Sequence, residues 1–125
     1  MYSLGLRREL SARHYLIGGD WGAENTEHSH RYRMELVLEK KELDAHGYLV
    51  DIVEVAHHLD AIVAEFQGKT LNALAAFQGS NPSIERLATV IHDLARKRLA
   101  HFHLESLGVT IWEDDIAWTA YRAPA

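Results

Sequence analysis

His28-Ser29-His30-Arg31-Tyr32-Arg33-Met34-Glu35-Leu36-Val37-Leu38-Glu39 is the stretch on which the fold turns. Its period is two: His28, His30, Tyr32, Met34, Leu36 and Leu38 fall on one face, and Arg31, Arg33, Glu35 and Glu39 on the other. That alternation predicts a half-buried strand. The two histidines open the apolar row, and on a strand they lie roughly 7 Å apart on the same side. The spacing alone is weak evidence, because nine histidines in 125 residues produce about 0.6 His-x-His pairs by chance. A second pair occurs at His101 and His103.

Residues 2–14 repeat the pattern. Tyr2, Leu4, Leu6, Leu10 and Ala12 share one face with His14, broken by Arg8, while Ser3, Arg7, Glu9, Ser11 and Arg13 share the other. Residues 18–26 carry three glycines with Asp and Asn and read as a loop. If the two strands pair antiparallel, His14 at the end of the first meets His28 and His30 at the start of the second. Three imidazoles then meet at one end of the sheet and can converge on one metal ion.

Ala45-His46-Gly47 reads as a turn, and Asp51 as the N-cap of a helix whose buried stripe is Ile52, Val55, Ala56, Leu59, Ile62, Val63 and Phe66. Gly68 ends it. Residues 70–77 fit neither period. Asn81-Pro82-Ser83-Ile84-Glu85 starts a second helix, with Asn81 as N-cap, Pro82 in the first helical position and Ile84, Leu87, Ala88, Ile91, Leu94 and Ala95 buried. Strands follow near residues 107–113 and 116–122. Glu113 is in phase with Val109 and Ile111, and a carboxylate at the end of an apolar row needs a partner, for which Arg122 is one candidate. His57, His58, His101 and His103 read as surface or interface residues.

The order is ββααββ, an α+β domain spanning residues 1–125, with a four-stranded antiparallel sheet covered by two helices on one face. Its edge strands are unpaired in one chain, and assembly through them is the simplest remedy. The chain has 47% hydrophobic residues, 25% charged residues, no cysteine and a net charge of −5. That excludes disulfides, thiolate nucleophiles and cysteine-bound zinc. It also gives no reason to expect a nucleic-acid or membrane partner. No signal pattern opens the chain, so the cytoplasm is the expected location.

Six stretches in order resemble the 6-pyruvoyl-tetrahydropterin and 6-carboxy-tetrahydropterin synthase family. Leu10-Ser11-Ala12-Arg13-His14 is similar to the family's F-x-A-x-H, and His28-Ser29-His30-Arg31-Tyr32 to its H-G-H-N-Y. Gly47-Tyr48-Leu49-Val50-Asp51, Leu71-Asn72, Asn81-Pro82-Ser83-Ile84-Glu85 and Glu113 follow. The resemblance implies a tunnelling fold, in which sheets of three subunits close into a barrel and two trimers stack into a homo-hexamer. It implies zinc on His14, His28 and His30, and a small-molecule pterin substrate anchored by Glu113 at a subunit boundary. Arg13, Arg31 and Lys69 are candidate phosphate contacts.

The departures define the expected chemistry. The family's cysteine lies four residues before the first His of H-x-H, where this chain has Glu24. The family's Asp-His relay falls on Gln67 and Gly68, which cannot relay a proton. A branch of the family carries Glu in place of Cys and shortens dihydroneopterin triphosphate to 6-hydroxymethyl-dihydropterin. The resemblance therefore implies a zinc-dependent lyase with Glu24 as general base, or else a pterin- or purine-binding zinc protein without synthase activity. For Glu24 itself, base, fourth metal ligand and plain loop carboxylate are the three readings.

Overall fold

The computed structural model describes residues 1–125. Four strands, β1 (Tyr2–His14), β2 (His28–Lys40), β3 (Ser106–Trp112) and β4 (Trp118–Pro124), form one antiparallel sheet in the order β1-β2-β3-β4. Helices α1 (Ile52–Ala64) and α2 (Ile84–Arg98) are inserted between β2 and β3 and cover one face. The fold is thus the ββααββ arrangement expected from the sequence.

The core forms because the apolar rows of the strands and the apolar stripes of the helices meet on that face. Leu10, Tyr32, Met34, Leu36, Leu38, Val109 and Ile111 from the sheet pack with Val55, Leu59, Ile62, Leu87 and Ile91 from the helices, all buried. Arg8, the break in the apolar row of β1, reaches α1 instead, where its Nε donates to Asp60 Oδ1 at 2.6 Å. The opposite face of the sheet is polar and joined by cross-strand pairs such as Arg7–Glu35 at 2.7 Å and Arg31–Glu9 at 3.9 Å.

Several local readings need correction. The N-cap of α2 is Ser83, whose hydroxyl accepts from Arg86 N at 3.1 Å, because the side chain of Asn81 is committed to the loop after β1. Ile52 lies at the exposed first position of α1 rather than in its stripe. His92, absent from the predicted stripe of α2, is buried, with Nε2 3.0 Å from Leu107 O. Residues 71–73 and 75–77 are two short 3-10 turns. Arg122 pairs with Glu39 rather than with Glu113.

Candidate metal centre and cleft

The register of β1 on β2 places His14 directly opposite His28, with His30 two residues farther along β2. Their ring centroids are 4.5 Å (His14–His28), 4.8 Å (His14–His30) and 4.9 Å (His28–His30) apart. One ligand atom from each, together with a carboxylate oxygen of Glu24, lies within 4.8 Å of the others. Strand alternation is the cause: residues of one parity on adjacent strands project to one side of the sheet.

The hydrogen bonds decide which nitrogens are available. His14 Nδ1 lies 2.9 Å from Pro82 O and His28 Nδ1 lies 2.7 Å from Thr26 O. A backbone carbonyl only accepts, so in both neutral rings Nδ1 carries the proton and Nε2 carries the lone pair. The Nε2 atoms of His14, His28 and His30 are buried and have no hydrogen-bond partner. Unpaired buried polar atoms are costly and rare, and three converging at one point fit a cation. Burial pushes the pKa of His14 down, outweighing the Pro82 contact, and the rings of His30 and His28 add to the shift. A ligand must be neutral, so the shift favours ligation.

Two carboxylates face the cluster. Glu24 Oε2 is 2.9 Å from His28 Nε2, at the distance but not in the direction of a hydrogen bond, and Glu113 Oε1 is 3.3 Å from His30 Nε2. Glu24 lies in a short 3-10 turn, Gly22–Asn25, held to the end of β1 by Leu16 N donating to Glu24 O at 2.9 Å. Glu113 follows β3 at the start of a turn. There Asp114 Oδ1 accepts from Ile116 N at 2.9 Å and Ala117 N at 2.7 Å, contacts that lower the pKa of Asp114. His14, Glu24, His30 and Glu113 line one open cleft of about 690 Å³ with Leu16, Ser83, Ile116 and Trp118 among the other walls.

The positioning residues are asparagines that periodicity does not reveal. Asn72 accepts from Tyr15 N at 3.0 Å and donates to Tyr15 O at 2.9 Å. Asn81 does the same for Ile17, at 2.7 and 3.2 Å. Asn25 donates to Leu16 O and Gly19 O, both at 3.0 Å. These amides continue the strand-like pairing of β1 past His14 and fix the loop that carries Glu24. The stretches containing Asn72 and Asn81 stand out in the sequence, but their partners are 57 and 64 residues away. Asn72→Ala leaves both backbone groups of Tyr15 unpaired and should cost about 1–3 kcal/mol, measured as a shift in the urea midpoint.

Gln67 and Gly68 also have structural work. Gln67 Oε1 accepts from Ser11 N at 3.0 Å, and Gly68 N donates to Ser11 O at 2.7 Å. Gly68 has φ +73, which a side chain would strain. Arg13 and Arg31 project from the face opposite the histidines, near Glu27 and Glu9, and neither they nor Lys69 line the cleft.

The sequence profile of the 6-pyruvoyl tetrahydropterin synthase family matches residues 3–124. The chain belongs to this family. No curated protein sequence gives a significant match. Among solved structures, the chain is similar to 6-pyruvoyl tetrahydropterin synthase of Caenorhabditis elegans, with 18% identity, a TM-score of 0.86, and 98% of this chain and 95% of that chain covered. It is also similar to the Plasmodium falciparum enzyme, with 11% identity, a TM-score of 0.79, and coverage of 98% and 99%. A Plasmodium vivax variant in which a glutamate named as a catalytic residue is replaced by Ala matches at 12% identity, with a TM-score of 0.78 and both chains fully covered. At these identities the structural likenesses speak for the fold. The family fixes the class: a pterin-related enzyme fold with a histidine cluster able to hold a metal ion.

One pH effect follows from the burial of two histidines, one in this cluster and one on α1. Burial is the largest cause lowering the pKa of both His14 and His58 below the ordinary 6.5. The folded chain then binds fewer protons than the unfolded one as the medium acidifies, so stability is full above 6.5 and is lost as pH falls below it. Chelator-treated protein should melt at a lower temperature at pH about 5 than at pH about 7.5, followed by calorimetry.

Proposed function

We propose that this protein is a zinc-dependent lyase acting on the side chain of a reduced pterin such as dihydroneopterin or its triphosphate, with Glu24 as general base and 6-hydroxymethyl-dihydropterin as product. The observation that carries the reading is a carboxylate, Glu24, beside three buried imidazole Nε2 atoms that have no other partner.

His14, His28 and His30 would hold the zinc through Nε2, each from a sheet position fixed by register. When bound, zinc supplies a Lewis acid that polarises a substrate side-chain oxygen. Glu113 accepts two parallel N–H bonds from the 2-amino-4-oxo-pyrimidine edge, as a carboxylate does from a guanidinium. The side chain of the pterin then extends toward Glu24 in the same cleft. Glu24 takes the proton of the 2′-hydroxyl, the C1′–C2′ bond breaks, and a two-carbon aldehyde leaves. The bonding electrons enter the C6–N5 imine of the ring, and a proton returned to C1′ leaves a hydroxymethyl group. No thiol is required, in keeping with a chain that has no cysteine. The glutamate named as catalytic in the Plasmodium vivax synthase supports a carboxylate in such a role. Closure of the sheets through the free outer side of β4 into a barrel of three chains, and stacking into a hexamer, belongs to the same proposal, as does a cytoplasmic location. No helix is long and apolar enough to cross a membrane.

A second reading keeps the metal and the ring anchor and removes the chemistry. It is favoured by Gln67 and Gly68, which stand at the family's relay positions and are tied to the backbone of Ser11. Removing zinc separates the two. On the lyase reading, chelation abolishes turnover of dihydroneopterin and added zinc restores it, whereas a binder turns over nothing in either state. His28→Ala should lower zinc affinity by at least about 100-fold, measured by competition with a chromogenic chelator.

A further inference from the structure

Five histidines, His46, His57, His58, His101 and His103, lie outside both the buried helix stripes and the first cluster, and two of them converge. Glu54 and His58 stand one turn apart on α1, on the same side of the helix. His101 comes from the short turn Ala100–Phe102 after α2. One ligand atom from each of the three lies within 4.8 Å of the others. His101 Nε2 is 2.8 Å from Glu54 Oε1, and His58 Nε2 is 4.0 Å from the same oxygen. Tetrahedral zinc, with ligands at about 2.0–2.1 Å, holds nitrogen and oxygen donors roughly 3.3 Å apart, between these two values.

We propose that Glu54, His58 and His101 form a second site for a borderline divalent cation such as Zn²⁺, sharing no residue with the His14–His28–His30 cluster. The ligand set is two imidazoles and a carboxylate, with a fourth position open to water, which suits zinc or nickel better than calcium or magnesium. The geometry is partly organised in advance. Ring centroids of His58 and His101 are 5.8 Å apart, and the His101 ring lies 4.3 Å from Phe102, itself packed against the core. His57, 6.3 Å from His58, is not part of the group. A bound ion ties α1 to the turn after α2, two elements far apart in sequence, and so stabilises the folded chain by mass action.

Arg98 works against the site. Its Nη1 lies 3.3 Å from His58 Nδ1, so a guanidinium hydrogen is directed at the nitrogen that must carry the proton once Nε2 binds a metal. Arg98 must turn away for the site to fill. It opposes binding by both charge and tautomer.

Zinc content of the full chain after equilibrium dialysis tests the proposal. The native chain should hold one zinc more than His101→Ala, with the affinity of that ion falling at least about 100-fold in the variant. His46→Ala and His103→Ala should retain it, and Arg98→Gln should bind it more tightly. Zinc should also raise the melting temperature of the native chain more than that of His101→Ala. Equal zinc content and affinity in the native chain and the triple variant Glu54→Ala/His58→Ala/His101→Ala would overturn the proposal. So would a loss in His46→Ala equal to that in His101→Ala, or weaker binding in Arg98→Gln.

Discussion

Glu24→Gln should lower kcat for side-chain cleavage of dihydroneopterin by about 10²–10⁴-fold while zinc content and pterin affinity stay near native. The substitution keeps the size of the side chain and removes the base. Glu24 is half-exposed in a turn anchored by its backbone carbonyl to Leu16 N, so the loop keeps its shape without the carboxylate. The outcome also separates the three readings of Glu24. A fourth metal ligand would show itself as lost zinc affinity, and a plain loop carboxylate as unchanged turnover. Stopped turnover with metal and pterin still bound belongs to a general base.

The second large effect concerns Glu113. Glu113→Gln replaces a charged double acceptor with an amide that offers one acceptor and one donor, so one of the two ring N–H bonds is lost and the other weakened. At roughly 1.5–3 kcal/mol for a charge-assisted bond, pterin affinity should fall by about 10–10³-fold. Isothermal titration of the zinc-loaded variant measures it. The position of Glu113 is set by the turn that Asp114 closes and by β3 pairing, neither of which uses the carboxylate. An unaffected affinity would mean that the ring is held elsewhere and that Glu113 serves only as the partner of His30, 3.3 Å away.

Strand phase made the histidine cluster legible. His14, His28 and His30 could be placed on one side of one sheet because side chains on a strand alternate with a period of two, and antiparallel pairing then brought the first to the other two. Glu113 was placed by the same rule. The helices were legible from their stripes, but their starts were less so. Asn81 looks like an N-cap by residue type, and nothing local reveals that its amide is taken by Ile17 or that Pro82 gives its carbonyl to His14. Capping preference is a local quantity, and here a partner 64 residues away outcompetes it. The meeting of His58 with His101 was illegible for a related reason. It depends on how α1 packs against the turn after α2, which no periodicity in either segment encodes.

The roles of Gln67 and Gly68 connect sequence to mechanism. Where the resemblance to the family implies an ionisable pair, this chain has an amide and a glycine in a left-handed conformation, both bonded to Ser11. The proton traffic of the proposed reaction therefore rests on Glu24, the carboxylate nearest the histidine that begins H-x-H.

The most direct test is product analysis. Zinc-loaded protein is incubated with dihydroneopterin and, separately, with its triphosphate, and the pterins are separated and weighed by mass spectrometry. Zinc-dependent appearance of 6-hydroxymethyl-dihydropterin with a stoichiometric two-carbon aldehyde is the predicted result. Recovery of both pterins unchanged, or a product that keeps the full three-carbon side chain, would contradict it.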